Sequence, residues 1–63
     1  MKVRPLENYW LMGTEFKLDS TKVYDATHAT NLPDWEAKGK IFVYEDEDGP
    51  SIVLEKGEYE IVG

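Results

Sequence analysis

Apolar and polar positions alternate along several short runs of this chain, and the alternation stops or changes phase at Gly, Pro, Asp and Ser. From Gly13 to Leu18 (GTEFKL), Thr14, Phe16 and Leu18 share one face and Glu15 and Lys17 the other, which predicts a half-buried strand. Asp19-Ser20-Thr21 follows, and short Asp and Ser side chains close hydrogen bonds on their own backbone, so a hairpin is expected after Leu18. The next run, KVYDATHAT, puts Tyr24 and Ala26 on one face, but Ala29 has the opposite parity. A bulge near Thr27 and His28 would reconcile them, since one extra residue flips every later side chain.

The segment KIFVYE is apolar on both faces, with Ile41 and Val43 pointing one way and Phe42 and Tyr44 the other, as in a central strand. SIVLE and EYEIV come after the acidic stretch EDEDGP, separated by Lys56 and Gly57. Pairing Leu54 with Tyr59 and Ile52 with Ile61 predicts a tight hairpin in which Gly57 supplies the positive φ. A four-residue acidic loop would also set Val43 opposite Ile52 and Ile41 opposite Leu54. The expected core is then Phe16, Leu18, Tyr24, Ala26, Ile41, Val43, Ile52, Leu54, Tyr59 and Ile61. A single helical turn is predicted around residues 33–38, because Pro33 suits a first helical position and Gly39 a stop. One turn is not stable alone. Trp35 is therefore expected to pin it over the outer face of the 41–44 strand, while residues 1–8 are read as a loose arm.

The layout is all-β: a small five-stranded antiparallel meander in a single domain over residues 1–63, with turns after 18, 45 and 55. Its longer connection falls between the second and third strands. It resembles an SH3-like small barrel, which also stacks about five strands into a chain of this size. The likeness is at the level of fold. The SH3 signalling domain has its longest loop between the first two strands, and its ALYDY-type and paired-tryptophan motifs are missing here. Recognition of proline-rich peptides is therefore not carried to any residue.

A chain of 63 residues buries only about 60% of the surface it exposes when unfolded, so the core is small and a partner or second copy would add to it. Cysteine is absent, which removes disulfides, thiolate nucleophiles and Cys-ligated zinc. No apolar run approaches a membrane span and the start is too polar for a signal peptide, so a cytoplasmic location is expected.

Charge is unevenly placed. Positions 1 to 44 hold six acids and six bases, whereas Glu45, Asp46, Glu47, Asp48, Glu55, Glu58 and Glu60 face the single Lys56, so the whole net charge of −6 lies in the last part of the chain. That argues against nucleic-acid binding through this end, since affinity for a phosphate backbone comes from Lys and Arg.

Candidates for chemistry are few. His28 alone has an ordinary pKa near neutrality, but Asp25, three residues along a regular strand, points to the opposite face, and nothing activates Thr27 or Thr30. An EF-hand alignment on Gly49 would use Tyr44 as its first ligand, beside Asp46, Asp48 and Glu55, with strands in place of helices, so no metal site is assigned. No cofactor or enzymatic activity is expected. The aromatics are the stronger lead, because Trp10, Trp35, Phe42 and Tyr44 exceed what one inner layer absorbs, and Phe42, Tyr44 and Val53 share an outer face. Trp35 folding over Phe42 and Tyr44 as a second small core is the plainer alternative.

The sequence thus points to a non-enzymatic protein-interaction module, of bacterial or phage accessory type, binding a protein partner or itself. The expected contacts are Trp35, Phe42, Tyr44, Val53, Trp10 and Asn31, with the 31–38 loop. An acidic nucleic-acid mimic acting through a 45–60 hairpin is the alternative. Weak binding of single-stranded nucleic acid comes third, since Lys22, Lys38 and Lys40 make only a thin basic surround.

Overall fold

Side chains at Val3, Ile41 and Val43 are fully withdrawn from solvent, and they mark the inner face of one antiparallel sheet. A computed structural model describes residues 1–30 and 32–63. In chain order the elements are β1 (Lys2–Pro5), β2 (Tyr9–Trp10), β3 (Lys17–Leu18), β4 (Tyr24–His28), α1 (Pro33–Ala37), β5 (Ile41–Tyr44), β6 (Ser51–Leu54) and β7 (Tyr59–Ile61). Five strands form a sheet in the order β6-β5-β4-β1-β7, and β2 pairs with β3 in a separate two-stranded sheet. The all-β class and the count of five antiparallel strands are as the alternation predicts. Which strands make up the five is not.

Residues 1–8 are no loose arm. Lys2–Pro5 is a strand between β4 and β7, with Val3 opposite Tyr24 on one side and Ile61 on the other. Val3 and Pro5 turn inward, and Lys2 and Arg4 turn outward, where each meets an acid across the ladder: Lys2 pairs with Asp25, and Arg4 lies 2.9 Å from Glu60. GTEFKL, by contrast, contributes only Lys17 and Leu18 to pairing, with Tyr9 opposite Leu18 and Trp10 opposite Lys17. Leu18 enters the core and Tyr9, Leu11 and Phe16 pack against it, so the β2–β3 hairpin covers the inner face of the sheet. The turn after Leu18 exists but links the two sheets instead of closing a hairpin with β4. As a result the longest connection of the five-stranded sheet, residues 6–23, lies between its first two strands.

Two further expectations are corrected. Four consecutive β4–β5 pairs, Asp25 with Tyr44 through His28 with Ile41, run without an inserted residue, so there is no bulge at Thr27 and His28. The face changes only beyond the last pair, where the Ala29 N–H donates to the Lys40 carbonyl at 3.1 Å and Ala29 is buried. Nor does β7 fold back on β6. The Glu55–Glu58 turn forms as expected, with Glu58 N–H donating to the Glu55 carbonyl at 2.9 Å and Gly57 at a φ of +97°. The chain then crosses to β1, where Val62 N–H reaches the Lys2 carbonyl at 2.9 Å and Lys2 N–H the Gly63 carbonyl at 2.8 Å. Ile61 consequently sits on an open sheet edge, 60% exposed, outside the core it was expected to join.

The β5–β6 register is as predicted, Ile41 opposite Leu54 and Val43 opposite Ile52, although pairing ends at Tyr44 and Ser51 and leaves a six-residue loop over 45–50. Leu18, Tyr24, Ala26, Ile41, Val43, Ile52 and Leu54 form the core as expected, Phe16 and Tyr59 lie at its rim, and Val3, Pro5 and Ala29 join it. Burying each large aliphatic side chain contributes roughly 1.5–3 kcal/mol.

The turn between the sheets carries a pH-dependent element. Asp19 Oδ1 accepts from the Thr21 hydroxyl at 2.7 Å and the Thr21 N–H at 2.8 Å. Those two bonds, and then the charge of Lys22, hold the Asp19 carboxyl below its ordinary value. A carboxyl lowered in the folded state stabilises the fold above its ordinary pKa, and that contribution fades as pH falls through the lowered value. Asp19→Asn should therefore unfold at lower urea than the parent at about pH 6, with the gap closing toward about pH 2. Equal midpoints at both pH values would mean the turn does not need the charge.

Candidate protein-contact site

Inward Ile41 and Val43 force Phe42 and Tyr44 outward on β5. Thr27 of β4 and Val53 of β6 stand directly opposite Phe42 on either side, and Tyr44 lies between Asp25 and Ser51. Over this face comes α1, which starts at Pro33 and buries no residue of its own. Its far end is what fixes it. Lys40 N–H donates to the Trp35 carbonyl at 2.9 Å, Gly39 turns the chain at a φ of +68°, Tyr59 Oη donates to the Gly39 carbonyl at 2.6 Å, and Lys56 N–H reaches the Lys38 carbonyl at 3.2 Å. Trp35 is thereby held with its ring centroid 6.1 Å from that of Phe42, tilted by 39°, and the Lys40 ammonium lies 4.5 Å from the indole. Trp35, Phe42 and Tyr44 are each half-buried, so the turn acts as a lid that leaves aromatic edges open.

Two adjoining hollows mark the open part. One, of about 340 Å³, is lined by Thr27, Phe42, Tyr44, Glu47, Gly49 and Ser51. The other, of about 310 Å³, shares Thr27 and Phe42 with it and adds His28, Ala29, Thr30 and Leu32. Together they make a groove across the outer face from the acidic loop to the segment before α1, flanked by the exposed Val53.

Not all of the sequence-predicted residues meet there. Trp10 is 58% exposed on the β2–β3 hairpin, its indole N–H donating to the Thr14 carbonyl at 2.8 Å. It lines a different cavity, of about 410 Å³, with Tyr9, Lys17, Lys22, Tyr24 and Glu45 among its walls. Asn31 lies outside the described residues. The seven acids do not form one track, because β7 leaves β6. Glu45 to Asp48 lie beyond Ser51, and Glu55 and Glu58 beyond Leu54, about 10 Å apart along the strand. Glu58 accepts from the Glu55 N–H at 2.9 Å and from Tyr9 Oη at 3.4 Å, and Glu60 is paired with Arg4. Burial, followed by the charges of Glu58 and Glu7, pushes the Tyr9 phenol above its ordinary value.

His28 is exposed, and Asp25 is engaged by Lys2. Among the described residues no three His, Asp or Glu side chains gather as a metal site would require, and no helix is long and apolar enough to cross a membrane. Sequence reasoning missed Thr27 as a wall of the groove, whereas Leu32 lies within the expected 31–38 loop and Glu47, assigned to a separate acidic patch, stands at the groove's rim. The β4–β5 register would have placed Thr27 beside Phe42, but the fold of the acidic loop carries no comparable signal.

The chain matches no protein-family model, no curated protein and no solved structure.

Proposed function

We propose that this chain is a small non-enzymatic protein-interaction module that docks a protein partner, or a second copy of itself, on the outer face of β4, β5 and β6. The observation that carries the reading is the groove over Phe42, where half-buried aromatic side chains stay open to solvent although the lid is closed. Aromatics held in this way offer large contact area at little further loss of side-chain freedom. We read the fold as SH3-like on two supports: the long 6–23 connection lies between the first two strands of the sheet, and the last strand pairs with the first. The motifs by which that family's signalling domains hold proline-rich peptides remain absent, so the ligand is argued from this face alone.

We rank two rival readings below this one. A phosphate-track mimic needs its acids together, and here they divide between the two ends of β6, with Glu58 and Glu60 engaged internally. A nucleic-acid platform on the Phe42 face would need a basic surround, yet neither hollow there is lined by Lys or Arg, and Lys17 and Lys22 stand instead around the separate Trp10 cavity.

Phe42→Ala and Trp35→Ala should each abolish assembly, read as loss of a stoichiometric complex or dimer by light scattering. Far-UV circular dichroism should stay close to that of the parent. Undiminished assembly in both variants would remove this face from consideration.

A further inference from the structure

We infer that the occupant of this groove is a cationic, extended segment of a partner protein, with one large apolar side chain seated over Phe42 and Lys or Arg beside it at the acidic loop. The inference rests on the contact reading above and specifies the chemistry of the ligand. Phe42 and Tyr44 give the hollow an aromatic floor, and Glu47 stands in the same wall. Glu45, Asp46 and Asp48 belong to the same loop, and the only ion pairs among the described residues are Lys2 with Asp25 and Arg4 with Glu60. Glu47 thus lines the hollow with Asp46 and Asp48 on the same loop, none of the three in an ion pair among the described residues, whereas Glu45 turns to the cavities that hold Lys22.

Their positions are set by the backbone. Asp46 accepts from the Asp48 N–H through its side chain at 3.1 Å and from the Gly49 N–H through its carbonyl at 2.9 Å, so the loop is a closed turn. Fixed like charges at a groove mouth repel an anionic partner and steer a cationic one toward it. The groove is also asymmetric in charge along its length, because the hollow at the other end, with His28 and Leu32 in its wall, has no carboxylate among its lining residues. From Ile41 to Tyr44 the strand spans about 10 Å, which three to four extended residues would cover.

A second copy fits this face less well. It brings the same net charge of −6, and at the end remote from the acidic loop Lys38 and Lys40 are offset by Asp34 and Glu36. No surplus of cations waits there to receive another copy's loop.

The test is an amide NMR titration of the full chain with three pools of acetylated, amidated peptides. In each pool Leu, Ile, Phe or Trp lies between flanking pairs of Lys/Arg, of Ser, or of Glu. The Lys/Arg pool should shift the amides of Thr27, Phe42, Tyr44 and Glu47. Binding should weaken at least about fivefold in a Glu47→Gln/Asp48→Asn variant, and likewise between about 50 mM and about 300 mM salt. Equal binding of the Ser or Glu pools at these amides overturns the cationic assignment and leaves the contact reading standing. So do concentration-dependent shifts on this face without peptide, which would identify a second copy. Shifts confined to other amides, or none with any pool and no self-association, overturn both.

Discussion

A chain carrying Val3→Asp should show no cooperative thermal transition, whereas Ile61→Asp, directly across the β1–β7 ladder, should melt close to the parent. Val3 has no exposed surface and its strand separates β4 from β7, so the new carboxylate would be buried without a partner in the middle of the sheet. The effective penalty for such a charge is several kcal/mol. At roughly 0.05–0.15 kcal/mol per residue, a chain of 63 residues has about 3–9 kcal/mol of total stability, so one buried charge is comparable to the whole. Ile61 shares the same ladder but lies on an open edge at 60% exposure, where a charge is solvated and guards against edge-to-edge pairing. Its substitution should change stability by no more than about 0.5 kcal/mol. Far-UV circular dichroism melts of the two variants decide the matter. A Val3→Asp chain that melts within a few degrees of the parent would mean β1 does not hold the sheet together.

The contrast between Val3 and Ile61 shows where alternation is informative and where it is silent. Period two assigns a side chain to a face, and it did so correctly for Ile41, Val43, Ile52 and Leu54, whose strands are joined by a loop short enough to fix their register. It does not say which strand lies alongside. GTEFKL alternates cleanly yet pairs over two residues only, while KVRP, with one large aliphatic side chain and a proline, is the strand that joins β4 to β7. The partners of Val3 are Tyr24 and Ile61, far away in sequence, and no local pattern encodes such a choice. The same holds for the end of the chain. Lys56 and Gly57 announce a turn, but the destination of β7 depends on an open edge created elsewhere. At the candidate site, alternation put Phe42 and Val53 on one face, and Pro33 and Gly39 bracketed α1. Grouping Trp10 with them failed because its hairpin packs on the other side of the sheet. The adjacency of Glu47 to Phe42 follows from the closed turn at Asp46, which depends on backbone geometry that alternation does not describe.

Gly39→Ala should destabilise the chain by about 2–3 kcal/mol and loosen Trp35 from Phe42, whereas Gly57→Ala should destabilise it through its backbone alone and leave Trp35 in place. Gly39, at a φ of +68°, lies in the left-handed region that an L-residue enters at roughly 1–2 kcal/mol, whereas Gly57, at +97°, lies beyond it. They differ in what a Cβ would meet. At Gly57 nothing lies within 4 Å, whereas at Gly39 the Cβ would stand 3.1 Å from the Lys56 Cβ and 3.5 Å from the Tyr59 hydroxyl. Lys56 cannot withdraw freely, because its own N–H is bonded to the Lys38 carbonyl at 3.2 Å. The Tyr59 hydroxyl is likewise held, by the Gly39 carbonyl at 2.6 Å. Since α1 has no fully buried residue, this junction ties the helix to the sheet alongside the Trp35–Phe42 contact, and strain there should reach the indole. Urea midpoints give the cost of each substitution, and a red shift of tryptophan emission with a shifted Phe42 amide, in Gly39→Ala alone, reports the loosened lid. If Gly39→Ala and Gly57→Ala behave alike in both readouts, Trp35 is positioned by its contact with Phe42 and not by the Gly39 junction.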